Sequence, residues 1–239
     1  MNLLLATAGP STYWYLTRST GAVALVLLTL AIALGVIDVQ RWSSSRWPRF
    51  VVDSLHRNVS LLAVGFLLFH ILTAVLDSFA PISLLDSVIP FHGSYRSFWL
   101  GLGAVSFDLI LAVTFTSLLR QRMGYATWRA VHWLTYASWP IALLHSFGTG
   151  SDVKGGWLLW VGVGCLAVVV VAILVRVLAG WPEQLRTRSA ALAGTGIFSL
   201  FLLFWLPGGP LGSEWARRSG TPSKLLPHVH LTSAVGAQR

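Results

Sequence analysis

Long apolar runs separated by short polar segments dominate this chain. Six of them contain about the 20 mostly apolar residues that an α-helix needs to cross a bilayer, and they cover residues 15–39, 55–76, 98–119, 130–148, 157–179 and 189–206. The connecting segments are mostly short and carry Gly, Pro and Ser, which favours a bundle of antiparallel neighbours. The pattern predicts an all-α integral membrane protein with six transmembrane helices.

Composition agrees with a membrane protein and excludes an ordinary soluble domain. Of the 239 residues, 55% are hydrophobic and only 10% are charged, and the mean hydropathy is +0.70. The net charge of +9 would suggest nucleic acid in a soluble protein. Here the arginines cluster between apolar runs, so we expect membrane lipid as the surroundings and no nucleic-acid partner.

The distribution of cations predicts the orientation in the cell (plasma) membrane. Nine cations lie in segments on one face and three on the other: Arg41, Arg46, Arg49, Arg120, Arg122, Arg129, Arg176, Arg186 and Arg188 against Arg18, Arg96 and Lys154. The richer face should be cytoplasmic, so both termini should be extracytoplasmic. The start lacks the basic region of a signal peptide, so we expect a retained first helix. We predict a membrane domain over residues 1–207 and a weakly ordered extracytoplasmic tail over residues 208–239.

Two of the apolar runs carry a histidine near each end. His56 and His70 are 14 residues apart, which on a helix is about 21 Å along the axis and about 40° from a shared face. His132 and His145 are 13 residues apart, and an ideal helix would place them about 140° apart. Because Pro140 lies between them and a proline distorts a helix, we predict a local irregularity that turns both toward the bundle interior.

The direction of the two runs determines which histidines share a depth. The second and fourth runs cross the membrane in the same direction, so His56 should lie level with His132, and His70 with His145. Two bis-histidine sites stacked across the bilayer would suit haem iron, and such ligation favours electron transfer because it leaves no open iron position. The single Cys165 excludes covalent attachment through CxxCH, so the sequence predicts two non-covalent b-type haems.

The histidine pairs also carry a family resemblance. The segments LHRNVSLLAVGFLLFH and HWLTYASWPIALLH, within six apolar runs, resemble the ferric reductase-like transmembrane domain. That family includes NADPH oxidases, ferric reductases and the haem-binding membrane subunit of bacterial methionine sulfoxide reductase. The resemblance covers residues 15–177 and implies that the four histidines ligate two haems that pass electrons across the membrane.

The chain departs from the oxidases because it contains no FAD or NADPH domain. The resemblance therefore implies a redox subunit with no catalytic residues of its own. We expect a separate donor, either a flavoprotein or a quinol, and an extracytoplasmic acceptor, which could be a partner reductase or flavoprotein, ferric iron or oxygen.

Haem propionates need cations near the membrane faces. Arg57 and Arg129 flank the cytoplasmic histidines and are candidates for one haem, although the positive-inside rule explains them equally well. Arg96 and Lys154, with Arg18 as a further candidate, could serve the other haem.

Other polar residues leave alternatives open. Asp108 lies in the middle of the third run, where it could belong to a proton path or tie helices together through a hydrogen bond. A proton or metal transporter that uses Asp108 and the histidines without haem is the rival function, and a purely structural membrane subunit is another. His92 lies in the predicted outer loop, and the alternating His228 and His230 in the tail give only a weak metal signal.

Overall fold

Helices make up all the regular structure in the described part of the chain. The computed structural model describes residues 11–40, 48–150, 152–179 and 185–226. Its elements in chain order are α1 (Thr12–Val39), α2 (Arg49–Leu76), α3 (Leu84–Val88), α4 (Ser97–Leu118), α5 (Tyr125–His132), α6 (Thr135–Thr149), α7 (Trp157–Leu178), α8 (Leu185–Gly208), α9 (Trp215–Arg218) and a 3₁₀ turn (Ser223–Leu225). The predicted all-α class is confirmed.

Among the described residues, five helices are long and apolar enough to cross a membrane, namely α1, α2, α4, α7 and α8. They correspond to five of the six predicted runs. Helix α1 begins three residues before the predicted start because Ser11 caps it by accepting the Trp14 backbone N–H at 2.9 Å. Helix α2 begins six residues early, at Arg49, after Pro48. Its 28 residues are about 42 Å long, more than the hydrocarbon core requires.

The fourth predicted run, residues 130–148, is divided between two helices in the structure. A turn at Trp133 and Leu134 separates α5 from α6. The Thr135 hydroxyl donates to the His132 carbonyl oxygen at 2.8 Å, an acceptor that a regular helix offers to the Tyr136 N–H. That N–H donates instead to the Trp133 carbonyl at 3.1 Å. The predicted count of six spanning helices is not confirmed.

The irregularity lies before Pro140, which sits inside α6. Around the turn, the N–H of Leu134 donates to Val131 at 2.9 Å and that of Ala137 to Leu134 at 3.0 Å, both across three residues. Such bonding turns the chain by about 120° per residue in place of about 100°. Over four residues this adds about 80° and reduces the angle between His132 and His145 from about 140° to about 60°.

The helices are held together around two antiparallel pairings and one apolar core. Helix α1 packs along α2, and α4 packs along α6, while α1 also contacts α6 and α7. Leu143 and Phe147 of α6 are fully buried, and the Trp139 indole N–H donates to the Thr29 hydroxyl of α1 at 2.8 Å. The core cluster comprises Leu25, Trp139, Leu143, Phe147, Val153, Leu158, Cys165, Val169 and Leu202.

A buried arginine joins the C-terminal segment to the end of the bundle where α4 begins. Arg96 is only 4% exposed, and its guanidinium donates to the carbonyl oxygens of Gly148 and Thr149 and to the Thr221 hydroxyl. The Trp215 indole N–H also donates to Gly148, at 3.1 Å. The C-terminal segment therefore contacts the bundle through Trp215 and Thr221, just before the 3₁₀ turn. His228 and His230 lie outside the described residues, and the predicted domain boundary stays a prediction.

Close packing of α6 on α7 depends on a glycine, which gives a testable expectation. A Cβ at Gly162 would lie 2.3 Å from the buried Phe147 ring, so Gly162→Ala should destabilise the fold by about 1–3 kcal/mol through overpacking. A Cβ added at Gly164, on the same helix, would have no atom within 4 Å, and Gly164→Ala is the matched control. Thermal unfolding of the purified protein in detergent measures both. Equal unfolding midpoints for the two variants would contradict this packing.

Candidate functional site

Four histidines from α2, α5 and α6 meet as two pairs. The ring centres of His56 and His132 are 6.3 Å apart with an interplanar angle of 66°. Those of His70 and His145 are also 6.3 Å apart, at 85°. Because His56 and His70 both belong to α2, the two pairs are separated by about 21 Å along that helix.

Three of the four rings are oriented by a backbone carbonyl on a neighbouring helix. Nδ1 of His56 lies 2.9 Å from the Ala31 oxygen and Nδ1 of His70 lies 2.7 Å from the Thr17 oxygen, both on α1. Nδ1 of His145 lies 2.8 Å from the Trp99 oxygen on α4. A carbonyl oxygen only accepts, so Nδ1 carries the proton in each ring. The lone pair of each neutral ring is therefore on Nε2 and can bind a metal.

His132 is the exception. Its Nδ1 is buried and has no hydrogen-bond partner among the described residues. The Trp128 ring packs against it, with centres 5.0 Å apart and planes tilted by 31°. The Trp128 indole N–H in turn donates to the Ser117 hydroxyl of α4 at 3.3 Å. His132 is therefore positioned by ring packing rather than by a carbonyl.

Paired imidazoles at this separation can bind one metal ion from opposite sides. A metal–imidazole bond is about 2 Å long, which places the centres of two opposed rings about 6 Å apart. Within the described ranges, no three His, Cys, Asp or Glu side chains converge on one point. A metal bound here would therefore need most of its ligands from elsewhere, and a haem macrocycle brings them with its iron. The donor set thus fits haem.

His70 and His145 both line a mainly apolar cavity of about 230 Å³. Gly21, Leu67 and Phe107 are among its wall residues. Arg18 and Asp152 also line it and form an ion pair with each other, and the Arg18 guanidinium lies 3.9 Å above the Trp14 ring. The two histidines therefore border a space that has a mainly apolar wall and also contains one pair of opposite charges.

Comparison with known proteins identifies the family. Residues 20–143 match the family described as ferric reductase like transmembrane component, which is just over half of the chain. This chain belongs to that family. The matched region includes His56, His70 and His132 and ends two residues before His145.

One curated relative matches over most of its length. The chain is 26% identical over 191 residues to the protein-methionine-sulfoxide reductase heme-binding subunit MsrQ of Herminiimonas arsenicoxydans, covering 76% of this chain and 77% of that protein. No solved structure matches.

The predicted cations lie in different environments. Arg18 lines the cavity, whereas the buried Arg96 is used to bind backbone carbonyls and Lys154 is exposed. Near the other pair, Arg57 and Arg129 are both exposed. A propionate-binding role for Arg57 and Arg129 stays a prediction.

Asp108 does not belong to the cavity. Its neighbours Phe107 and Ile110 line that space, but Asp108 itself does not. Its side chain is partly exposed, and within the described part of the chain it makes no hydrogen bond or ion pair. A hydrogen bond from Asp108 to another helix, one of the two alternatives, is therefore not seen among the described residues.

A buried carboxylate in α3, the short helix after α2, was missed by the sequence interpretation. Asp86 lines the cavity and is 6% exposed. It accepts hydrogen bonds from His92 Nδ1 at 2.8 Å and from the Ser83 backbone N–H at 2.8 Å. Burial acts to raise the pKa of Asp86, but these hydrogen bonds outweigh it and hold the pKa below its ordinary value. The capping-box pattern SLLD was the available signal.

The lowered pKa predicts a pH-dependent contribution to stability. The folded state favours the Asp86 carboxylate, so its contribution is present above the ordinary pKa of about 4 and is lost as the pH falls through the lowered value. Asp86→Asn should therefore cost about 1 kcal/mol near pH 7, and the deficit should shrink in acid. Thermal unfolding across a pH series measures this, with the exposed Asp53→Asn as control. A deficit that stays constant at all pH values would contradict it.

Proposed function

We propose that this protein is a di-haem b-type cytochrome that transfers electrons across the membrane. In this proposal His56 and His132 ligate one haem iron, and His70 and His145 ligate the other. The observation that carries it is the geometry of the two pairs, each with ring centres 6.3 Å apart, in a membrane chain with no other converging metal ligands among its described residues.

Family membership and the relative support a redox subunit. The matched family is named for ferric reductases, and the relative is named as the heme-binding subunit of a methionine sulfoxide reductase. We propose a flavoprotein or quinol as the donor and a partner reductase or flavoprotein, ferric iron or oxygen as the extracytoplasmic acceptor. The activity of the assembled system would then belong to the partner.

The residues of this chain perform three tasks in the proposed transfer. Bound haem supplies an iron that gains and loses one electron. The paired histidines would hold each haem by two imidazole nitrogens, and such ligation would favour electron transfer over binding of an acceptor at the metal. The carbonyl oxygens of Thr17, Ala31 and Trp99 fix the protonated nitrogen of three ligands and so raise their donor strength.

The proposed membrane topology uses α5 and α6 together. Neither is long enough to span alone, but residues 125–149 form 25 consecutive residues with a single turn. We propose that this broken element is the sixth crossing, that both termini are extracytoplasmic, and that the protein resides in the plasma membrane. The position of Asp108 outside the cavity gives no support to the rival proton or metal pathway.

Haem content tests the proposal directly. The purified protein should contain two haems per chain with the visible spectrum of low-spin b haem. His70→Ala and His145→Ala should each remove the same haem, and His56→Ala and His132→Ala the other, because each pair would hold one haem. Pyridine haemochrome assays and reduced-minus-oxidised spectra measure this, with His92→Ala as the histidine control.

The contrary results are equally specific. A colourless protein from cells with full haem supply would rule out the proposal, and the transporter alternative would then have to be assayed. Retention of both haems in His70→Ala or His145→Ala would show that the assignment of ligands is incorrect.

The unequal hydrogen bonding of the pairs predicts unequal reduction potentials. Both His70 and His145 donate to carbonyl oxygens, whereas His132 has no such partner among the described residues. Stronger imidazole donors stabilise oxidised iron, so the His56/His132 haem should be reduced first. Potentiometric titration of the visible spectrum measures the order, and the single-histidine variants assign each step. Prior reduction of the His70/His145 haem would contradict the expectation.

A further inference from the structure

Three of the four histidine rings lie directly against a glycine of a neighbouring helix. A Cβ at Gly21 would lie 2.8 Å from the His70 ring, and one at Gly103 would lie 2.5 Å from the His145 ring. At Gly35 the corresponding distance to the His56 ring is 3.2 Å. Any larger residue at these positions would occupy space that the imidazole now uses.

The same glycines are related to the histidines' hydrogen bonds. The acceptors Thr17, Ala31 and Trp99 each lie four residues before one of the three glycines. In a helix that carbonyl already accepts the N–H of the residue four positions later, here the glycine. A carbonyl oxygen has a second lone pair, and the missing Cβ lets the imidazole approach it. We call each glycine with its preceding carbonyl a glycine notch.

The spacing of the notches matches the spacing of the ligands. Gly21 and Gly35 are 14 residues apart on α1, as are His56 and His70 on the antiparallel α2. His132 and His145 are 13 residues apart, and the residue 13 positions after Gly103 on α4 is Thr116. The Thr116 hydroxyl donates to the Ala112 carbonyl at 2.7 Å, four residues earlier. The Thr116 side chain would therefore fill a fourth notch at this position. This agrees with the absence of a hydrogen-bond partner for His132 Nδ1 among the described residues.

We propose that Gly21, Gly35 and Gly103 are positioning residues for the histidine ligands. Each notch admits one ring against a helix backbone and lets its Nδ1–H reach a carbonyl, which leaves the Nε2 lone pair for the metal. The inference rests on the proposed function, because it concerns ligands of the proposed haems. It adds three site residues that carry no ligating atom themselves.

Alanine substitution at each notch tests this, and the chain offers matched controls. Gly65 on α2 and Gly164 on α7 have no atom within 4 Å of an added Cβ, so Gly65→Ala and Gly164→Ala should keep both haems. Gly103→Ala and Gly21→Ala should each lower the haem content from two to one per chain. Gly35→Ala should give a smaller loss, because its contact is the least tight. Haem-to-protein ratio and low-spin electron paramagnetic resonance signals are the readouts.

The identity of the lost haem separates positioning from general damage. Gly103→Ala and Gly21→Ala should lose the spectral component that His145→Ala and His70→Ala lose, and Gly35→Ala the component lost in His56→Ala. A double variant, His70→Ala with Gly21→Ala, should unfold at the same temperature as His70→Ala, because the shortened side chain no longer meets the new methyl group. An additional loss of stability in the double variant would overturn the proposal.

Other outcomes are also decisive. Two haems in all three notch variants, equal losses in the Gly65→Ala control, or loss of both haems together would overturn the positioning role. A wild-type protein without haem would refute the proposed function first. Wild-type protein with two haems whose content is unaffected by the notch substitutions would refute only this inference.

Discussion

The need to provide hydrogen-bond partners for imidazole inside an apolar bundle shapes this structure. A buried polar group without a partner is costly, and each neutral imidazole has one donor nitrogen and one acceptor nitrogen. Three of the four histidines give the donor nitrogen to a backbone carbonyl. The acceptor nitrogen is then left for another partner, and a metal ion satisfies it without any further protein group.

Because of this requirement, helices that carry none of the four histidines also contribute to the site. Helix α1 contributes no histidine, but it provides the carbonyls of Thr17 and Ala31 at the two ends of α2. Helix α4 provides the Trp99 carbonyl to α6. The two antiparallel pairings, α1 with α2 and α4 with α6, are thus pairings of a supporting helix with a ligand helix. The apolar core around Leu143 and Phe147 then fixes α6 relative to α1 and α7.

Features that depend on local sequence could be predicted, whereas features that depend on side-chain rotamers or on packing between helices could not. Five spanning helices followed from apolar length alone, because a bilayer allows little else for such runs. The irregularity in the fourth run was expected from Pro140, but the structure places it at Trp133 and Leu134, where the Thr135 hydroxyl takes the His132 carbonyl. Side-chain competition of this kind depends on a rotamer and cannot be deduced from residue type. The glycine spacing was visible in the sequence, yet it has meaning only once the register of α1 against α2 is known.

The fourth histidine shows that the two levels of the bundle are not equivalent. His70 and His145 are both held by carbonyls, so their rings are oriented before anything binds. At the other level only His56 has this support, while His132 lies beyond the turn and packs on Trp128. Binding there must also fix the His132 ring, which costs conformational freedom that the other level has already lost. The turn that brings His132 closer to the face of His145 thus comes with weaker orientation of its ring, because its Nδ1 has no hydrogen-bond partner among the described residues.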